Sequence, residues 1–591
     1  RAAAMARRLG ARSVVHGSLL STGGEVRVDV GLYNTRTEAE LARATVSGDP
    51  DSVAALSNDL TFALLEQIWR RGEVPVPSLE ALTTRSLPAL RAYLDGERAL
   101  AASEMDEAVA AFDAAFAEDS TFWFALWRSV YPRVYEGARL DSVTLAALLE
   151  HRDELPEPDR LLVQADLAPT MSEQTAQIRE VTRRFPTYWP GWFDYADQLV
   201  HWTPYLGTSH ADARAALERA VELNPGFTSA WTHLFWMTAY ARDTMAMDEA
   251  AQRLEEYTSP TGYKINPDLL RYYGAIRELV AGGGVFDSTS LETNVEYVYT
   301  YRGPIPPLEF GIGFLRYGFP RAQVQLADAV LRLGPRREVA AALWFGKALA
   351  FAARGGWDSS LVALDRWTPL TDDSTAALVG YGLGVLGVAL GSVHPDAVAS
   401  LRARVAGDGL STAEEHGGVA WLDGIVAYAS GNRTALAAAR EALSQSGTPF
   451  VGMLDGSLAA FDTALAGDHE AAGRALAELT WENAERYRHN AYGSHHPFFD
   501  AITRLAASDW LREAGDLEQA LRLLSWHDAV FWQLQGLLAF ANRVAAPVAD
   551  YRRAELEEEL ARPVAAERHY RSFVSQYDLG EEERAPTRTL P

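Results

Sequence analysis

The sequence predicts a mainly α-helical protein: a helical-repeat superhelix preceded by a small partial α/β domain. Three observations carry this. A turn of the form small-Gly-Asp-x-Glu-x-Ala recurs after apolar helices, residues 11–46 alone alternate as strands, and 591 residues exceed what one hydrophobic core organises.

The strand region comes first. Arg1-Ala2-Ala3-Ala4-Met5-Ala6-Arg7-Arg8-Leu9-Gly10 reads as the last turns of a helix closed by a C-cap glycine. It has neither an initiator Met nor the apolar core of a signal peptide, so the chain is expected to be a piece of something longer. Ser13–Leu20 is a strand, Thr22-Gly23-Gly24 turns the chain, and Glu25–Tyr33 returns with alternating polarity. Asn34-Thr35-Arg36-Thr37 is a second turn, and Ala39–Val46 adds a third strand. Between Asp51 and Trp69, apolar residues at Val53, Leu56, Leu60, Leu64, Leu65 and Ile68 follow helical spacing.

The repeats follow a Pro-rich linker at 74–88, within which Val74-Pro75-Val76-Pro77-Ser78 has no periodicity. The recurrent turn is clearest at Ala466-Gly467-Asp468-His469-Glu470-Ala471 and Ala514-Gly515-Asp516-Leu517-Glu518-Gln519-Ala520. Looser copies lie at Ser103–Ala108, Gly431–Leu436 and Ala561–Ala566. The expected division is an α/β unit over 1–73, helical repeats over 89–280 and 321–580, and a disordered tail over 581–591. Residues 281–320 hold four prolines without a clear helical period. They are expected to be a loop-rich interruption or an irregular pair of short helices.

Two resemblances sharpen this. The segment Leu9-Gly10-Ala11-Arg12-Ser13-Val14-Val15-His16-Gly17-Ser18 with Gly24-Glu25-Val26-Arg27-Val28 resembles the C-terminal half of the TolB-like N-terminal domain. That domain occurs in bacterial serine/threonine kinases, adenylate cyclases and membrane-bound winged-helix regulators. Thr83–Ala99 resembles the opening of the tetratricopeptide region that follows it in those kinases. In that register Gly96, Ala108 and Ala115 are the small positions that let two helices approach, and Phe112 fills the space between them. Ser120 stands where the terminal Pro would be; Ala220 and Pro225 give the better exit, and Ala566 and Tyr570 belong to a last repeat. The resemblance implies a non-catalytic regulatory region, with protein or peptide bound in a groove that Tyr93, Glu97, Trp421 and Tyr428 would face. It also implies a parent kinase whose membrane helix would put this region on the extracytoplasmic side, with a cytoplasmic position as the alternative. Competing readings are the sensor of a transcriptional regulator or cyclase, and a stand-alone scaffold.

Composition narrows the chemistry. A net charge of −25 without a long basic stretch argues against nucleic acid and anionic membrane surfaces. The absence of Cys excludes disulfides, thiolate nucleophiles and Cys-based metal sites. The apolar run Ala376–Val393 reaches the lower length limit of a membrane span, but it holds five glycines and lacks basic flanks. A buried helix or helix pair, not a span, is expected there.

No catalytic constellation survives. His151-Arg152-Asp153 spells a kinase catalytic triplet, yet Glu154-Leu155-Pro156-Glu157-Pro158 follows and no Asp-Phe-Gly occurs, so a helix end before a Pro-rich turn is expected. Gly382-Leu383-Gly384-Val385-Leu386-Gly387 fits a dinucleotide pattern outside any strand-turn-helix context, and is expected to serve close helix packing. Gly346-Lys347 lacks the Ser or Thr of a phosphate loop. His489, His495 and His496 cluster without a completing first shell. No metal centre, cofactor or catalytic residue is therefore expected. Seven of 16 tryptophans (Trp123, Trp127, Trp189, Trp192, Trp202, Trp231, Trp236) concentrate between 120 and 240, where packing between repeats is the simpler role and a ligand platform the other.

Overall fold

The computed structural model describes residues 2–8, 10–22, 24–50, 84, 86–135, 140–203, 206, 208–256, 267–300, 312–371, 374–405, 410, 412–445, 447–485, 498–528 and 536–577, with isolated positions between 56 and 64. Most of the expected 51–69 helix, most of the 74–88 linker and the 581–591 tail lie outside them, as do Lys264, His489, His495 and His496.

A helix over Ala2–Arg8 leads into an antiparallel sheet of β1 (Ser13–Thr22), β2 (Glu25–Asn34) and β3 (Glu40–Gly48), in that spatial order. Gly10 takes φ +76°, and the Ala11 N–H bonds back to the Ala6 carbonyl, a left-handed helix stop. Asn34 makes the β2–β3 turn: its Oδ1 accepts from the Arg36 and Thr37 amides at 2.9 and 3.0 Å. Val30, Ala42, Ala44 and Leu64 form a small core of their own.

The rest of the described chain is helical. The recurrent turn has one geometry in all five copies. Ser103, Gly431, Gly467, Gly515 and Ala561 all have φ between +57° and +92°. The next amide in each (Glu104, Asn432, Asp468, Asp516, Arg562) donates to the carbonyl five residues back, at 2.7–3.3 Å. Asn432, Asp468 and Asp516 then cap the following helix by accepting from the amide three residues on. The same geometry also occurs outside the sequence pattern, for example at Arg242-Asp243 and Gly355-Gly356, where Asp243 and Gly356 bond back to Thr238 and Phe351.

Helix pairing follows the small residues. A Cβ on Gly96 would lie 2.7 Å from the Phe112 ring, so the Leu87–Ala101 and Met105–Glu118 helices meet as closely as a glycine permits. Ala108, Phe112 and Ala115 are fully enclosed, and Ala220 and Ala566 nearly so. Pro225 sits in an exposed turn and its carbonyl accepts from Trp231 Nε1 at 2.8 Å; the Tyr570 hydroxyl donates to Glu558 at 2.9 Å.

Of the two forms considered for 281–320, the described residues show helices: Ser288–Thr300 and a short turn at Phe314–Arg316. The period of the first is masked because Asn294 is buried, its amide donating to the Ser290 carbonyl. The apolar run of 376–393 lies in one helix, Ser374–Ala389, and then a turn at Gly391. Cβ atoms on Gly382, Gly384 and Gly387 would strike Phe498, Leu401 and Val393 at 2.4–2.9 Å, so these glycines serve helix packing. No helix among the described residues is long and apolar enough to cross a membrane.

The array bends until segments far apart in sequence touch. The Ser172 amide and hydroxyl both donate to the Glu485 carboxylate, and Trp202 meets Trp526 at 6.4 Å. The long Gly536–Glu559 helix is buried at every position from Ala541 to Asp550. It packs on the Arg337–Ala353 helix, and Arg543 Nε donates to the Leu315 carbonyl at 3.2 Å. An inner helix thus occupies space that an open superhelix would leave to solvent.

Candidate functional site

The four residues expected to face a groove are placed otherwise. Tyr93 is fully buried, with Phe112, Phe122 and Phe124 rings 5.2–5.8 Å from its own. Glu97 accepts from Arg128 Nε and Nη2 at 2.6 and 3.0 Å, a two-pronged pair with little exposure. Trp421 is fully buried, donating from Nε1 to Ser457 at 2.8 Å, and Tyr428 packs edge-on to Phe461. The physical reason is helical phase. Tyr93 lies three residues before Gly96, while Trp421 and Tyr428 lie three before and four after Gly424. Both glycines sit on the face pressed against a neighbouring helix, Gly424 against Leu458. The aromatics share that face and fill the core.

The concentrated tryptophans also pack between elements. Trp123 stacks on His151 at 4.1 Å, Trp189 contacts Phe227, and Trp192 Nε1 donates to the Pro186 carbonyl. His151 ends the Ser142–Glu150 helix and a short 3-10 turn at Arg152–Glu154 follows, as expected of a helix end before a Pro-rich turn.

Two features offer binding chemistry. The first is a cleft of about 730 Å3 between the Ala413–Ala429 helix and its neighbours. Val405, Leu410, Val419 and Val451 give it apolar walls, and Arg402, His416, Asp423 and Gln445 add polar groups. Arg402 Nε donates to Asp423 Oδ1 at 2.7 Å, and the Tyr381 hydroxyl donates to the same oxygen at 2.7 Å.

The second was not anticipated. Asp197 and His201 stand one helical turn apart on the Trp189–Trp202 helix, and His233 projects from Thr228–Tyr240, the first helix of the next pair. Asp197 Oδ1 lies 3.4 Å from His201 Nε2 and 3.3 Å from His233 Nε2, and the two Nε2 atoms are 3.4 Å apart. The three atoms could hold one metal ion. His233 Nδ1 is 2.7 Å from the Ser229 carbonyl and must donate to it. Trp236 covers the His233 ring at 4.6 Å. Burial pushes the Asp197 carboxyl up, yet the two imidazoles outweigh it and hold it well below the ordinary range. Burial lowers His201, against the pull of Asp197. The signal in the sequence is Asp197-x-x-x-His201 with one further His a repeat away, weak because neither half is a metal motif alone.

Compared with known proteins, the chain matches no protein-family model and no curated protein. What stands is a mainly helical, repeat-like architecture with a small N-terminal sheet.

Proposed function

We propose that this chain is a non-catalytic protein-interaction region of a bacterial signalling protein, with tetratricopeptide-type repeats after a partial TolB-like domain. The observation that carries the proposal is the cleft beside the Ala413–Ala429 helix, whose apolar walls and Arg402–Asp423 rim suit an extended peptide segment. With Tyr93, Trp421 and Tyr428 in the core and an inner helix in the array, the binding surface is assigned to this cleft and not to a continuous groove. The parent is proposed to be a serine/threonine kinase, with this region extracytoplasmic.

Ala442 is exposed on the cleft wall, so Ala442→Trp fills the cleft without touching the core. Cross-linking in producing cells, read by mass spectrometry, is expected to join one partner to residues 402–451, and A442W to reduce those cross-links at least ten-fold. Undiminished cross-links in A442W sink the binding assignment. The kinase assignment has its own test in the encoding gene upstream of Arg1. A Gly-rich loop, a catalytic loop, Asp-Phe-Gly and a membrane span support it; a winged helix overturns it.

A further inference from the structure

We propose that Asp197, His201 and His233 form a zinc site that staples two consecutive helix pairs, with Asp197 Oδ1 and both Nε2 atoms as ligands.

The spacing is the first argument. Zinc binds imidazole nitrogen and carboxylate oxygen at about 2.0–2.1 Å, and tetrahedral ligands at that radius lie about 3.3–3.4 Å from one another. The three distances between the converging atoms are 3.3, 3.4 and 3.4 Å. An octahedral ion at the same radius would hold adjacent ligands only about 2.9 Å apart.

The tautomer is the second. A carbonyl cannot donate, so the 2.7 Å contact with Ser229 places the His233 proton on Nδ1. In the neutral ring the Nε2 lone pair is then left beside a carboxylate oxygen and a second imidazole nitrogen, a set of electron-rich atoms that a shared metal ion would bring together. A backbone carbonyl fixing the outer nitrogen is the usual support for a metal-bound histidine.

Enclosure is the third. The His201 and His233 side chains keep 3% and 9% of their exposure and Asp197 17%, so the ligands are held by packing while the carboxylate side stays reachable. Three protein ligands leave a fourth position for a group from solution.

The test uses the untagged full chain, loaded with Zn2+, passed through a chelating resin and assayed for metal by atomic emission. One zinc per chain is expected, unchanged in a His495→Gln/His496→Gln double variant. Asp197→Asn, His201→Gln and His233→Gln are each expected to weaken binding at least ten-fold with circular dichroism unaltered. X-ray absorption of the wild-type zinc form is expected to show a four-coordinate nitrogen and oxygen shell with two imidazoles, a readout that does not depend on variants folding. Absence of retained zinc, zinc undiminished in the triad variants, or a shell with one imidazole or none would overturn the proposal; a protonated His233 in place of metal gives the first of these.

Discussion

Ser172 and Glu485 are 313 residues apart, yet the Ser172 amide and hydroxyl both donate to the Glu485 carboxylate. The carboxylate sits at the N-terminus of the Met171–Arg184 helix, where free amides and the helix dipole favour a negative charge. Thr170 already caps the Glu173 amide, so Glu485 satisfies a different donor. A charge-assisted pair of this kind contributes about 1.5–3 kcal/mol. Glu485→Ala should therefore speed hydrogen exchange of the Ser172 amide roughly 10–100-fold while leaving the Leu87–Ala101 helix unchanged. Equal protection in the variant would show that the contact does not hold these two segments together.

The left-handed turns make an opposite-signed pair. Gly467 and Gly515 have φ +92° and +86° with open space where a Cβ would be, so only backbone strain opposes a side chain there. Gly467→Ala is expected to cost about 1 kcal/mol in urea unfolding. Ala561 already bears that strain at φ +57°, and Ala561→Gly should be neutral to stabilising by up to about 1 kcal/mol. A stabilising G467A would contradict the assigned turn.

Trp421 separates core from surface. It is fully buried and its indole donates to Ser457, so Trp421→Ala should lower stability by about 3–5 kcal/mol. Thermal unfolding checks this directly, since a surface groove residue would leave the curve unmoved.

His527 sets the response to acid. Burial, then the Arg553 and Arg504 charges, push its pKa down to about 3, and neither ring nitrogen has a hydrogen-bond partner. The folded state therefore holds it neutral, while the unfolded chain takes up its proton near the ordinary value of about 6.5. The sign follows: its contribution is intact above about pH 6.5 and declines as pH falls toward 3, by up to about 1.4 kcal/mol per pH unit. His527→Phe should flatten that decline with no lost hydrogen bond, and stability curves of both proteins between pH 3 and 7 measure it.

The sequence by itself determined what depends on neighbours along the chain. The hairpin and third strand were legible because polarity alternates from Glu25 to Tyr33 and Asn34 makes its turn locally. The repeat turns at Gly431, Gly467 and Gly515 were legible because a glycine supplies the left-handed residue and the next residue caps the following helix. The copy at Arg242-Asp243 was not, because arginine carries no sign of positive φ; packing imposes it. Only the tertiary structure decided helical phase, which turned Tyr93, Trp421 and Tyr428 inward beside Gly96 and Gly424. It also decided closure, since a pairing of Ser172 with Glu485 depends on the summed curvature of every helix pair between them. The meeting of His233 with Asp197 and His201 has the same origin: two helices, each without a metal motif of its own, are set side by side by the helix between them, His210–Leu223, which buries Ala213, Ala216 and Ala220.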